Sequence, residues 1–475
     1  HHQYAYAAIM LIHFRSRLLG RASWCQKPYY FVPRLAQNLT KPISTSFSCR
    51  REEKVEVDTS GLMQPVKKEE LTPLGQELRD IMRLKGPISV SEYMFQCLAH
   101  PQHGYYMRSK EKIGKEGDFI TAPEISQMFG ELLGVWCVAV WESMGSPKNI
   151  QLVEMGPGKG TLMHDLLRSA SSFPAFMEAL DGINMVETSK SLQAVQQKKL
   201  GAVKLQQQVK EPLYVLPGGN KIRWVDLFWE VPKAPVIVIA QELLDALPVH
   251  QFEYTSEGWR ERLVDVSRAA ADPLNFRFVT SVKETLACQN FLTSKSLKQQ
   301  KEDAAFMDMK DGDSIEVCPL AIALAEDVAD RIGKFGGAAL FIDYGENHAL
   351  SESLRAFKDH KEVHLLSAPG ECDITADVDF AAIERAVAKK PNVQVAGAVE
   401  QGALLVRLGI EQRLLALINR PDVSDEKANE LYDSCMRLID REQMGRKYKA
   451  LTIYQNGIST PPGFSHLSHK NGDDC

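Results

Sequence analysis

Between residues 150 and 345, short runs of consecutive apolar residues alternate with stretches where apolar residues recur every three or four positions. The short runs are "IQLVEM" (150–155), "INMVE" (183–187), "KIRWVD" (221–226), "PVIVIA" (235–240) and "AALFIDYG" (338–345). Each has strand length and carries apolar residues on both faces. The stretches between them read as helices: "TLMHDLLRSA" after the first run, "SKSLQAVQQKKL" opening at Ser189, and "LAIALAEDVADRIGKF" before the fifth. Buried strands alternating with helices predict a mostly parallel sheet covered on both faces.

The flanks behave differently. Residues 71–149 read as an N-terminal helical segment. Two helical patterns meet at Gly86-Pro87, and a loop then leads into a helix capped by Ser126 or Thr121. Residues 254–310 interrupt the alternation with strands of their own and a polar helix, as an insertion would. This divides the α/β core into 150–253 and 311–455. The polar tail, 456–475, carries Pro and Gly and is expected to be disordered.

Composition narrows the function only a little. Lys and Arg number 56 against 61 Asp and Glu in 475 residues, which argues against a general nucleic-acid binder. No apolar run reaches the roughly 18 residues a membrane span needs. Nine cysteines are scattered without metal-ligand spacing, as in reduced intracellular proteins. The first 51 residues contain no Asp or Glu, yet carry Arg15, Arg17, Arg21, Arg34, Arg50 and Arg51. That is the composition of a mitochondrial transit peptide, followed by a charged linker over 52–70. A secretory signal would place its positive charges before the apolar stretch, and here they follow it.

The chemistry concentrates at "VEMGPGKG". Gly156, Gly158 and Gly160 open the turn after the first strand, where parallel sheets bind ligands. Glycine there permits positive φ and lets a ligand approach the main chain. The phosphate-binding loop does not fit, because Gly160 follows Lys159 where Ser or Thr is required. The dinucleotide motif does not fit either, because its third glycine would fall on Thr161. The turn could be purely structural, but Glu154, Glu187 and Asp226 stand at the tips of three successive strands, which core packing does not require. Glu187 is placed to accept ribose hydroxyls of a bound nucleoside.

The acidic-x-Gly-x-Gly-x-Gly spacing resembles the first motif of Rossmann-type methyltransferases. Further segments, "GPISVSEYM", "HPQHGYYMRSKEKIGKEGDFITAPEISQMFGELLG", "QELLDALPVHQF", "GWRERLV", "LFIDYG", "PGECDITADVDF" and "MGRKYKALTI", resemble the MidA-type methyltransferases in order, from about Leu71 to Ile453. That resemblance implies a Rossmann-like class I α/β fold with the N-terminal helical segment and an inserted substrate-side subdomain. It implies S-adenosyl-L-methionine as cofactor, with Glu154 facing its cationic end and Asp226 near its adenine. It also implies a mitochondrial matrix enzyme that symmetrically dimethylates an arginine of a complex I core subunit. An assembly chaperone with secondary catalysis, or a methyltransferase for another substrate, are the alternatives.

An arginine methyltransferase must grip a delocalised cation with carboxylates. Glu242 and Asp245, directly after the fourth strand, are the candidates. On a starting helix, residues three apart would share a face. The rival reading makes them surface acids favoured by the helix dipole. The loop "GDFITAPEIS", with Asp118, Thr121, Pro123 and Glu124, reads as a wall over the cofactor. Asp343 and Tyr344 are placed on the substrate side. Asp373, Asp377 and Asp379 read as a turn capping a helix, and no metal is expected. His348 and His364 read as ordinary loop residues.

Overall fold

The computed structural model describes residues 69–108, 120–205, 212–269, 272–292 and 309–464. The expected transit peptide, most of the linker, Asp118 and residues 465–475 lie outside them.

Seven principal strands build the main sheet: β1 (Ile150–Met155), β2 (Leu180–Val186), β3 (Lys221–Val225), β4 (Val236–Gln241), β5 (Gly337–Glu346), β6 (Val393–Glu400) and β7 (Tyr448–Gln455). Their order is β3-β2-β1-β4-β5-β7-β6. The first five are mutually parallel, and β7 runs antiparallel to both β5 and β6. Five expected strands thus match β1 to β5: the first coincides, and the ends of the others shift by at most three residues. The expected pattern did not include β6 and β7. In β6 only Val393 is buried, and its apolar run, Val395–Val399, is made of small residues around Gly397, a weak strand signal.

All six residues of β1 and of β4 are buried, because helices cover both faces. Side chains alternate between two cores with the period of two that a strand imposes. Ile150, Leu152, Ile237, Ile239, Leu340 and Ile342 face one core; Val153, Met155, Val236, Val238, Ala339 and Phe341 face the other.

The helices that matter for the site are α1 (Pro73–Lys85), α2 (Val90–Ala99), α3 (Gln127–Ser143), α4 (Thr161–Ala170), α5 (Lys190–Leu200), α6 (Pro319–Phe335) and α7 (Phe380–Val387). Helices α3 and α4 lie on the first face, and α6 and α7 on the second. Helix α3 approaches α4 closely because Gly130 and Gly134 have no side chain. A Cβ at Gly134 would come within 2.5 Å of the Leu166 carbonyl oxygen. Ser126 caps α3 by accepting the Met128 N–H at 3.3 Å, whereas Thr121 begins a separate short turn, Ala122–Ile125, with no side-chain bond. Ser189 caps α5 as expected.

Residues 71–149 are not one packing unit. Helix α3 belongs to the main core, but α1 and α2 pack on a second, antiparallel sheet. That sheet comprises His250–Thr255, Gly258–Val266, Phe276–Thr280 and Ser314–Val317, with Ile88–Ser89 added at one edge. It therefore extends past both ends of the expected 254–310 insertion. A third sheet, Arg355–Lys358, Lys361–Val363 and Asp373–Thr375, packs against α1 and α2 through Ala356 and Ile374. The beginning of the expected tail is packed too: Phe464 is buried, and Arg407 donates to the Gly463 carbonyl at 2.8 Å.

Candidate active site

The parallel strands β1 and β4 end side by side, and a cavity of about 780 Å³ opens beyond their carboxyl ends. One half is built by the glycine turn. Gly156, Gly158 and Gly160 have φ of +67°, +50° and +80°, the left-handed region where a side chain is strained. Gly156 and Gly158 line the cavity, and a Cβ on Gly156 would stand 2.9 Å from the Leu243 side chain. Gly160 lies outside the lining. It is the N-cap of α4, and a Cβ there would press on Gln196 at 3.3 Å.

Glu154 and Glu187 border the same half. Burial pushes the Glu154 carboxyl up to about 8, helped by the nearby charge of Glu187 and opposed by the Met163 N–H. Its Oε2 is buried without a partner. Burial likewise raises Glu187 to about 7, although Ser189 N–H and Gln196 donate to it. Asp226 does not border the cavity; it is 41% exposed and paired with Lys190 at 2.7 Å.

The other half holds the acids after β4. Glu242 keeps φ at +49°. Its Oε1 accepts the Ala122 N–H at 3.2 Å and the Gln241 amide at 2.9 Å. Asp245 Oδ2 accepts the Tyr344 hydroxyl at 2.6 Å and the Thr375 hydroxyl at 2.8 Å, while Oδ1 is buried without a partner. Burial, with the Asp245 charge beside it, lifts Glu242 to about 8, and burial raises Asp245 as well. These are not surface acids, because Asp245 is only 9% exposed.

No helix begins here, contrary to expectation: residues 242–249 form turns. Glu242 leaves β4 in the left-handed region and Pro248 closes the segment, and Asp343 holds the turn between them. Its Oδ2 accepts the N–H groups of Leu243, Leu244 and Asp245 at 3.1, 2.8 and 3.3 Å. One carboxylate oxygen thereby gathers three consecutive amides and folds them into a tight loop. Asp343 is thus beneath the loop rather than on the substrate wall, and burial raises its pKa well above the ordinary carboxylate range. Tyr344 does line the cavity, with Tyr448 edge-on to its ring at 5.5 Å.

Thr121, Pro123 and Glu124 form a wall of the cavity, and Glu124 accepts the Thr161 hydroxyl. Asp379 caps α7 by accepting the Ala382 N–H at 2.8 Å, but Asp373 and Asp377 correct the capping reading: both face the cavity. Asp373 accepts the Tyr106 hydroxyl at 2.9 Å, and Asp377 pairs with Arg355. Tyr106, Arg355 and Thr375 were not among the expected site residues. They come from segments far apart in the chain, and no local spacing links them to the glycine turn. His348 and His364, among the described residues, bond to neighbouring backbone. Among the described residues, no cluster of His, Cys, Asp and Glu is arranged to hold a metal ion.

The first half suits a small zwitterionic nucleoside. Positive-φ glycines clear the main chain, an unpartnered Glu154 oxygen awaits a cation, and Glu187 stands at the next strand tip. A buried carboxylate without a partner is costly unless a ligand pairs it.

Comparison with known proteins identifies such a ligand. Residues 132–399 match the family described as "Putative S-adenosyl-L-methionine-dependent methyltransferase". The protein arginine methyltransferase NDUFAF7, mitochondrial, of Xenopus tropicalis is 38% identical over 394 residues, 80% of this chain and 87% of that protein. The Homo sapiens protein of the same name is 36% identical over 389 residues, 81% and 83% of the two chains. A methyltransferase-like protein from Burkholderia thailandensis, crystallised with S-adenosyl-homocysteine, superposes with a TM-score of 0.65 at 26% identity, covering 82% of this chain and 93% of that one. The fold is that of class I methyltransferases and the cofactor is S-adenosyl-L-methionine. The chain belongs to this S-adenosyl-L-methionine-dependent methyltransferase family.

Proposed function

We propose that the chain methylates arginine in a protein, and that its substrate is a core subunit of mitochondrial complex I, dimethylated symmetrically in the matrix. The acceptor chemistry rests on one observation: Asp245 Oδ1 is buried and unpartnered beside Glu242. The names of the relatives support the same acceptor. Complex I, symmetric dimethylation and the matrix rest on the MidA-type resemblance and the acid-free, Arg-bearing first residues.

Glu154, Gly156, Gly158 and Glu187 would hold S-adenosyl-L-methionine, which supplies a methyl group on a positively charged sulfur. The remaining work falls to this chain's residues. Arginine enters with a permanent charge, and burying that charge unpaired would cost several kcal/mol. Asp245 is held from behind by Tyr344 and Thr375, and Glu242 by Ala122 and Gln241. Both carboxylates are therefore oriented before substrate arrives, which is where positioning and electrostatic stabilisation arise. The nitrogen that gains a methyl must shed a proton, and these two carboxylates are the acceptors at hand.

The test is direct. The purified chain is incubated with labelled S-adenosyl-L-methionine and mitochondrial extract, and the labelled residue is mapped by mass spectrometry. Symmetric dimethylarginine in a complex I core subunit is expected. Label on a small molecule or on another residue type would overturn the reading, and so would normal complex I assembly by a chain unable to bind the cofactor.

A further inference from the structure

Three polar groupings lie apart from the acids already described. The polar cleft between Gln251 and Glu352 has Glu316 already satisfied by Gln251 and Ser353. The stacked pair His100 and His103 shares Glu77 at 3.3 Å and needs nothing further. The third is a fully buried glutamine behind the cofactor half, and its contacts converge on that site.

Gln196 lies on α5 and is not part of the cavity wall. Its amide nitrogen donates to the Gly158 carbonyl at 2.8 Å and to Glu187 Oε2 at 3.3 Å. Its amide oxygen accepts the indole N–H of Trp224, on β3, at 2.7 Å. An indole nitrogen can only donate, so Trp224 fixes which end of the amide faces it. The NH2 end is thereby forced toward the Gly158 carbonyl, which can only accept, and toward Glu187, which accepts when ionised. One turn back on the same helix, Gln193 donates to the Glu187 carbonyl at 2.6 Å.

We propose that Gln196 is a positioning residue for the cofactor, and that Trp224 acts through it by setting the orientation of its amide. The pair ties Gly158 in the glycine turn to Glu187 after β2, beyond the last backbone bond between the two segments, from Gly156 N–H to the Val186 carbonyl at 3.1 Å. The third strand thus contributes through a tryptophan set back from its tip. Gly160 fits the same scheme, because a side chain there would press on the Gln196 stem. The donated hydrogen bond also favours the charged form of Glu187, the form able to accept two ribose hydroxyls.

The proposal rests on the reading that Gly158 and Glu187 touch the cofactor, so Glu187→Ala is measured beside the new variants. S-adenosyl-homocysteine is titrated into the full chain by calorimetry from pH 6 to 9. Gln196→Met keeps the volume and loses every hydrogen bond. It is expected to weaken binding by about tenfold or more, to move the midpoint of the pH dependence upward, and to leave the rate at saturating cofactor within about threefold of wild type. Trp224→Phe is expected to weaken binding less, by about threefold to tenfold. The double variant should bind no more weakly than Gln196→Met alone, because the Trp224 indole reaches the site through the Gln196 amide. Independent, additive losses would refute the coupling. Unchanged affinity and an unmoved pH midpoint in Gln196→Met would refute the positioning role. If Gln196→Met does not fold, wild-type affinity in Trp224→Phe refutes it instead. Wild-type affinity in Glu187→Ala would show that the site reading, not the lock, is wrong.

Discussion

Glu242→Gln separates charge from shape at the substrate side. In the wild type, burial raises the carboxyl from 4.5 to about 8. An acid whose proton is held more tightly when folded makes its stabilising contribution below the unfolded value, and loses it as pH rises through the folded value. At roughly 1.4 kcal/mol per tenfold change in proton affinity, the ceiling on that loss is about 5 kcal/mol. Glu242 borders an open cavity, so water moderates the penalty, and about 2–3 kcal/mol is the working expectation. Glutamine keeps the amide-sized side chain and can still accept from Ala122. It has no charge to bury.

The variant should therefore match the wild type near pH 5 and become the more stable protein toward pH 9. For a chain of this length about 1 kcal/mol corresponds to roughly one degree, so the gap in melting temperature should open by about 2–3 °C. Melts of both proteins in parallel across pH cancel every titrating group they share. Activity moves the opposite way. Methyl transfer should fall by about two orders of magnitude or more, while cofactor affinity stays within about threefold. In the wild type, turnover at subsaturating substrate should decline as pH drops below about 8, because a protonated Glu242 cannot pair with a guanidinium. Parallel melting curves would refute the assigned burial of charge. Normal arginine methylation by both Glu242→Gln and Asp245→Asn would place the grip elsewhere, and Glu124 on the opposite wall would be tested next.

Other outcomes follow from the same geometry. Gly158→Val forces a β-branched residue into φ of +50° and should abolish cofactor binding in calorimetry. Glu187→Ala should weaken that binding by about 1–3 kcal/mol, whereas tight binding of NAD instead would refute the assignment. Asp343→Asn puts an amide where one carboxylate accepts four N–H groups. It should lower turnover about tenfold with cofactor affinity unchanged, and a rise in cofactor dissociation constant instead would assign the loop to the other half. N-terminal sequencing of the protein isolated from mitochondria should begin between about Arg34 and Glu70, and an intact amino terminus there would refute the transit-peptide reading.

What could be read from the sequence was whatever lies close together along it. Strands β1 to β5 announce themselves because each carries apolar residues on both faces; β1 and β4 are buried throughout, and scattered polar residues such as Gln151, Asn184 and Arg223 do not erase the pattern. The glycine turn is legible because positive φ leaves a mark on composition: Gly156, Gly158 and Gly160 lie within five positions. Strand β6 is not legible, because a sheet edge tolerates polar and small residues. The turn after β4 was misread for a different reason. "QELLDALP" has helix-forming composition, but Glu242 sits at φ of +49° and Pro248 closes the segment, while Asp343, about a hundred residues away, holds the Leu243, Leu244 and Asp245 amides in the turn between them. The same remoteness explains the missed half of the site. Asp245 is recognisable from its place after β4. The Tyr344 and Thr375 hydroxyls that saturate one of its oxygens come from β5 and from a strand of the third sheet. Those two bonds leave the other oxygen unpartnered for a ligand, and it is this division of labour between the two oxygens, absent from any local pattern, that makes a buried acid into a candidate grip for a cation.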